Sequence, residues 1–316
     1  MTDIVVVGSA NQDYVVGISS LPGLGETVLA HSLYKQAGGR GVRQSIAASK
    51  LGARVVFVGC IGDDADGAMV LHELRSAGVS TVETEIASSA TGMAVVYLSD
   101  DGGKSVAVAS GANELLGAER VGQVITRVGG TDRVVLVQSE VGMDIIASSL
   151  WSAHACGSRT ILSLSPYLDI PTGILKLVDL VVLTYSDASS LLSSHESSGD
   201  TKAVIDTIAK ALPTSVVLSL DGDGAVWVEG EERGQCKRIF GERMAKPIGV
   251  GDIFVGALAK KLVDEQNLGD AVSFAVQAEL FSIACGGMKP SYPTIDDLCS
   301  WSVKQKHVVL KTESLR

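Results

Sequence analysis

Several things are missing from this sequence, and each absence closes a class of function. No uninterrupted apolar run reaches the roughly 18–20 residues that a bilayer span requires. The N-terminus passes at once into a strand-like run, Ile4-Val5-Val6-Val7, without the charged region, long apolar stretch and cleavage site of a secretory signal. Basic residues are outnumbered, 26 Lys and Arg against 36 Asp and Glu, for a formal net charge of −10. Sequence-independent nucleic-acid binding needs clustered cations to displace counterions, so that class is disfavoured. The five cysteines (Cys60, Cys156, Cys236, Cys285, Cys299) are odd in number and form no CxxC, and no HExxH occurs. A disulfide framework or a dedicated zinc centre is therefore not expected, and reduced thiols in a cytoplasmic setting are. There is also no GxGxxG to anchor a dinucleotide fold and no GxSxG to anchor a hydrolase. The triplet Gly103-Lys104-Ser105 imitates the end of a P-loop, but Leu98 stands where its first glycine belongs.

What remains is an ordinary globular composition, 46% apolar and 20% charged, in a chain of 316 residues. That length buries a sizeable core as one large α/β domain, alone or with a smaller appendage. Apolar runs at 3–8, 55–60, 133–138, 160–164, 178–183 and 215–220 predict strands. Helical patterns occupy 43–52, 65–77, 141–155, 202–211, 252–265 and 269–285. Continuous Val/Ile/Leu strands alternating with helices predict a mostly parallel sheet covered on both faces. Two stretches break this rhythm. Residues 13–18 with 27–37, and 91–98 with 104–109, read as hairpins with period-2 patterning, the second turning at Ser99-Asp100-Asp101-Gly102-Gly103. They predict a small antiparallel flap that closes over a ligand, pairs two subunits, or simply extends an edge. Residues 189–200 are serine-rich and read as a polar loop.

Chemistry concentrates in Pro247-Ile248-Gly249-Val250-Gly251-Asp252, which opens an apolar, small-residue helix. Free N–H groups and the dipole at a helix start favour an anion. A carboxylate on the same turn can take a proton from an attacking hydroxyl while the amides stabilise a transferring phosphoryl group. Asp is also a common N-cap, so a purely structural role for Asp252 stays open at this point. A second cluster, Gly38-Gly39-Arg40-Gly41-Val42-Arg43-Gln44, lets backbone approach a small ligand and offers two guanidinium forks. Asn11 and Asp13 follow the first strand, where α/β folds place ligand contacts.

Together these segments resemble the ribokinase-like (PfkB) carbohydrate kinases over nearly the whole chain. Gly8-Ser9-Ala10-Asn11-Gln12-Asp13 is similar to the family's opening strand and substrate loop, and Pro22-Gly23-Leu24-Gly25-Glu26-Thr27 to its turn into the flap. Gly38 to Gln44 stands where the family has GGKGANQ. Val58 to Asp64, Ser110-Gly111-Ala112-Asn113, the GAGD-like Gly249 to Asp252, and Pro290 to Thr294 also match. The resemblance implies a main α/β kinase domain of residues 1–12, 38–90 and 110–316, with a β-lid of 13–37 and 91–109. It implies ATP with Mg2+, and transfer of a phosphoryl group to a hydroxymethyl group of a sugar-type substrate. Asp252 becomes the base, and Gly249, Val250 and Gly251 the anion hole. Asn11, Asp13, Gly39, Arg40, Arg43 and Glu140 become substrate contacts. Thr184, Ser219, Asp221, Gly222 and Gly224 become nucleotide contacts, with Asp187 an indirect magnesium contact. A homodimer through the lid is the implied assembly.

The departures matter as much. The family's Lys is Arg40 and its Asn is Arg43, which points away from plain ribose and toward an anionic or otherwise altered substrate. Lys246-Pro247-Ile248 replaces the DTT that helps build a monovalent-cation site, and the Lys246 ammonium is a candidate substitute for that ion. Thr184-Tyr185-Ser186-Asp187 replaces NxxE, and Ser219-Leu220-Asp221-Gly222-Asp223-Gly224 replaces TxGxxG. These changes leave an alternative reading, a catalytically weak relative that binds sugar or nucleotide as a regulatory or structural protein.

Overall fold

The structure is a computed structural model that describes residues 2–101, 103–192, 201–238, 247–264, 267–287, 289–304 and 310–314. Lys246, and residues 193–200 of the serine-rich stretch, lie outside the described residues.

The strands in chain order are β1 (Ile4–Val7), β2 (Asn11–Ile18), β3 (Ser32–Gly38), β4 (Val55–Val58), β5 (Cys60–Gly62), β6 (Glu85–Ala87), β7 (Gly92–Ser99), β8 (Lys104–Ala109), β9 (Val134–Gln138), β10 (Arg159–Ser163), β11 (Leu180–Thr184), β12 (Ser215–Ser219), β13 (Gly224–Glu229), β14 (Glu232–Arg238) and β15 (Leu310–Ser314). The helices are α1 (Arg40–Lys50), α2 (Ala65–Ser76), α3 (Ala118–Val128), α4 (Met143–Ala155), α5 (Thr172–Leu175), α6 (Tyr185–Leu191), α7 (Thr201–Ala211), α8 (Val250–Asp264), α9 (Leu268–Cys285) and α10 (Ile295–Lys304). Nine strands form the main sheet in the order β15-β14-β13-β12-β11-β10-β9-β1-β4. Neighbours from β12 to β4 pair in parallel, and β13, β14 and β15 continue antiparallel.

The predicted strands are buried on both faces because both faces carry helices. In β1, Ile4 and Val6 join the core on the side of α1, α2, α8 and α9, whereas Val5 and Val7 join the core beneath α3, α4 and α7. The alternation repeats in β9, where Val134 and Leu136 face one way and Val135 and Val137 the other. A period of two thus divides each continuous apolar run between two cores. Helix α9 is long and apolar enough by composition to cross a membrane, with a mean hydropathy of 1.3 over 18 residues. Here it is a core helix, with Val272, Ala275, Val276 and Ile283 buried in the same core as Ile253, Phe254 and Leu258 of α8.

The two predicted hairpins form a separate four-stranded sheet, ordered β3-β2-β7-β8. Its outer pairs are antiparallel, and its centre is a parallel β2–β7 pairing from Asn11↔Gly92 to Ile18↔Ser99. Val15, Ala94 and Val96 on its inner face pack against Ile248, so the lid rests on the loop that leads into α8.

Two expectations are corrected. The strand expected over 27–37 begins only at Ser32. Residues 189–191 are not loop but the end of α6. The Thr184 side chain caps that helix by accepting from the Asp187 N–H, and the Ser189 hydroxyl donates to the Tyr185 carbonyl at 3.0 Å. Serine side chains that bond back along the turn are compatible with a short helix despite their weak propensity.

Candidate active site

The C-terminal ends of the parallel strands meet the inner face of the lid around a cleft of about 470 Å³. Open α/β sheets place ligands at this edge. Asn11, Asp13, Gly39, Arg40, Arg43, Glu140, Thr184, Asp221 and the run Pro247–Asp252 line the cleft together. The substrate and anion-hole candidates therefore converge from β2, α1, β9 and α8, although up to 241 positions separate Asn11 from Asp252 in sequence.

Asp252 lies in the first turn of α8 and is 3% exposed. It is not the helix cap. Its Oδ1 accepts from Gln44 Nε2 at 3.0 Å and its Oδ2 from Arg43 Nη1 at 3.3 Å, while Arg40 Nη1 stands 3.6 Å from Oδ1. Gln44 is itself held, since its Oε1 accepts from Gln138 Nε2 at 2.9 Å. Sequence reasoning did not single out Gln44 or Gln138 as site residues. The Gly38–Gln44 segment carried a signal for Gln44, whereas Gln138 becomes visible only when β9 is laid beside α1.

The turn before Asp252 depends on Gly249, whose φ is +80°. Its carbonyl accepts from the Asp252 N–H at 3.0 Å and the Ile253 N–H at 3.3 Å, closing the first turn. A Cβ at Gly249 would meet Arg43 Cδ at 2.3 Å, so glycine here also makes room for that side chain. Val250 and Gly251, as first-turn donors of α8, have no intrahelical acceptor for their N–H groups. They point a helix N-terminus into the cleft, beside the carboxylate.

Arg43 bridges the floor. Its Nη2 binds the Asp13 carboxylate and its Nη1 binds Asp252. Burial opposes its charge, yet Asp13 and Asp252 outweigh burial and hold the guanidinium protonated more firmly than usual. The Arg40 Nε lies 3.3 Å from Glu140 Oε1, and the Ser9 hydroxyl binds the other Glu140 oxygen while accepting from the Arg40 N–H at 3.0 Å. Asn11 is fixed by Asn113, whose Nδ2 donates to its Oδ1 at 2.9 Å. Asp13 is fully buried, and its Oδ1 has no hydrogen-bond partner among the described residues. A buried acceptor left open at a cleft wall is suited to a ligand hydroxyl. Tyr34 stands nearby on β3, its phenol pushed up to about 12 by burial and by Asp13.

The nucleotide candidates are less concentrated. Thr184 and Asp221 reach the cleft; Ser219, Gly222 and Gly224 belong to the β12–β13 hairpin but do not line it. Asp221 is in the left-handed region at φ +51°, within a turn where Gly222 and Gly224 also have positive φ. Asp187 is buried, accepting from the Tyr167 N–H at 3.0 Å and from the Thr184 hydroxyl. On the lid, Lys104, Val106 and Val108 of β8 line the cleft. Lys104 was visible in sequence only as a false P-loop. Its ammonium titrates lower than usual, first from lost solvent and then from the nearby Arg43 and Arg40.

Known proteins share this fold. The profile of the pfkB family carbohydrate kinases matches residues 1–295. A ribokinase of Haemophilus influenzae is 26% identical over 295 residues, covering 92% of this chain and 95% of that protein. Among solved structures, Arabidopsis thaliana ribokinase complexed with ribose and ATP superposes with a TM-score of 0.82 at 27% identity, over 95% of this chain and 98% of that one. A Giardia lamblia ribokinase shares the fold with a TM-score of 0.84 at 23% identity, over 96% and 99% of the two chains.

Proposed function

The chain belongs to the pfkB family of carbohydrate kinases, and from that premise we propose that it transfers the γ-phosphoryl group of ATP to a hydroxymethyl group of a sugar-type substrate. The observation that carries this reading is the buried Asp252 carboxylate on the first turn of α8, facing the same cleft as Asn11, Asp13 and Glu140 beneath the lid. Asp252 takes the hydroxyl proton as the acceptor oxygen forms its bond to the γ-phosphorus, and the bond to the ADP oxygen breaks. The N–H groups of Gly249, Val250 and Gly251 face the charge on the phosphoryl oxygens. Asn11, Asp13, Gly39 and Glu140 orient the acceptor, with Arg40 and Arg43 fixing the carboxylates among which it sits. Thr184 and Asp221 form the side of the cleft that ATP approaches, and Ser219, Gly222 and Gly224 of the β12–β13 hairpin, outside the cleft lining, are the remaining nucleotide contacts.

Magnesium, the usual companion of ATP, shields phosphate charge when bound. It keeps several waters and needs few protein ligands. Asp187 fits an indirect role of this kind: its oxygens accept from the Tyr167 N–H and the Thr184 hydroxyl and it does not itself line the cleft, so it would act on the ion through a water. The proposal includes a homodimer through the lid, supported by exposed Leu29, Leu33 and Met93 on that sheet and its approach loop; light scattering on the purified chain tests it. It also includes a cytoplasmic setting, with which five free cysteines agree.

A coupled ADP-release assay over sugars, nucleosides and their anionic derivatives tests the central claim. Turnover that disappears in Asp252→Asn supports it. Binding of ATP and sugar without turnover on any acceptor would instead support a regulatory binding protein.

A further inference from the structure

Three carboxylates line the acceptor half of the cleft, and two arginines already balance them. Arg43 binds Asp13 and Asp252, and Arg40 lies against Glu140 and Asp252. Lys104 is a third cation in the same space. Among the described residues it has no carboxylate within ion-pair distance and no hydrogen-bond partner, although it lines the cleft opposite that floor. The period of β8 puts it there: alternate residues Lys104, Val106 and Val108 line the cleft, on a strand whose residues are all exposed. The other lining residues of β7 and β8, Ala94, Val96, Val106 and Val108, are apolar. Lys104 shares the cleft with carboxylates that Arg43 and Arg40 already hold, so its ammonium is left available for an entering negative charge. Arg43 adds a buried Nε without a hydrogen-bond partner.

Resting on the phosphotransfer reading above, we propose that the acceptor carries an anionic group, a carboxylate or a phosphate, which Lys104 of the lid and Arg43 of the floor hold in the acceptor half of the cleft. Lys104 lines the cleft together with Asn11, Asp13, Arg40, Arg43 and Glu140 of the acceptor half. A ligand anion would draw Lys104 down onto the floor, so acceptor binding and lid closure become one event.

The experiment compares three acceptors with the same free hydroxymethyl group, D-ribose, D-ribonate and D-ribose 1-phosphate, in the ADP-release assay with wild type and Lys104→Met. The expected result is a kcat/KM for ribonate or ribose 1-phosphate about tenfold or more above ribose, the size of one charge-assisted hydrogen bond. Whichever anion is preferred identifies the carboxylate or the phosphate as the group read. In Lys104→Met the ratio of anionic to neutral acceptor falls by a similar factor. Equal or greater activity on ribose, or a ratio that Lys104→Met leaves unmoved, overturns the proposal. If no acceptor releases ADP, the phosphotransfer reading fails, and thermal shifts with the same compounds decide the subsite separately. Stabilisation by an anionic compound beyond that by ribose, lost in Lys104→Met, supports it; equal shifts overturn it.

Discussion

Arg43 Nη1 donates to Asp252 Oδ2 at 3.3 Å across 209 positions of sequence, while its other terminal nitrogen holds Asp13. One buried guanidinium therefore compensates two buried carboxylates that come from β2 and α8. Removing one partner of such a network leaves uncompensated charge, at a cost of about 3–5 kcal/mol. Arg43→Met is expected to lose stability on that scale in chemical denaturation. Arg43→Lys should fall between Met and wild type, because one ammonium cannot span both carboxylates as a fork does. Equal stability of Met and wild type would mean that the bridge contributes nothing.

Asp252→Asn retains the shape of the side chain but not the proton acceptor. General-base catalysis contributes about 10²–10⁴-fold, so kcat should drop by that factor while ATP still stabilises the protein against heat. Gln44 is a positioning residue for the same carboxylate, through the bond to Oδ1 and the support of Gln138. Gln44→Leu should lower kcat by about tenfold with KM for ATP unchanged, since a misaimed base slows chemistry rather than nucleotide binding. A change confined to KM for ATP would contradict that role.

Much of this site was legible because its parts are local. Gly249-Val250-Gly251-Asp252 is a helix start that must present donors beside a carboxylate, and Gly38 to Gln44 is another, so short motifs marked both. Asn11 and Asp13 followed from their place after β1. The Arg40 and Arg43 substitutions were visible, but not that one arginine would bridge Asp13 to Asp252, since that contact exists only after the lid and α8 meet. Lys104 was read only as the end of a false P-loop for a related reason: on its own it is a polar residue after a turn, and the β7–β8 pairing gives it a direction. At α6 the serines concealed a helix because composition outweighed the cap that Thr184 supplies to Asp187.

Asp64 caps α2, accepting from the Gly67 N–H at 2.7 Å, and also accepts from the Thr91 N–H at 2.8 Å and hydroxyl at 2.6 Å. Burial acts against its charge, but the Thr91 and Gly67 bonds prevail and hold its carboxyl below the usual range. A carboxyl depressed in the folded state contributes stability that is present above its unfolded value near 3.8 and is lost as pH falls through the folded value. Asp64→Ala should cost about 1–2 kcal/mol at neutral pH, the ordinary worth of such a cap. Its denaturation midpoint should also depend less on pH below 4 than that of wild type. An unchanged acid limb would show that other carboxylates govern it.

Gly249 and Gly251 flank one residue yet should respond in opposite ways to the same added methyl group. At Gly249 the backbone is in the left-handed region at φ +80°, and a Cβ would lie 2.3 Å from Arg43 Cδ. Gly249→Ala therefore strains the turn and pushes Arg43 off its carboxylates, with an expected loss of about 1–3 kcal/mol and of activity together. At Gly251 a Cβ meets nothing within 4 Å, because the space it would enter is the cleft. In a helical first turn alanine is tolerated better than glycine, so Gly251→Ala should match or slightly exceed wild-type stability, within about 1 kcal/mol. Its methyl group would nevertheless stand before the amides that face the phosphoryl oxygens, and kcat should fall by about tenfold or more. Thermal melts beside ADP release separate the two variants. Loss of activity in Gly251→Ala without loss of stability is the signature of an anion hole, and full activity there would remove the Gly249–Gly251 turn from the mechanism.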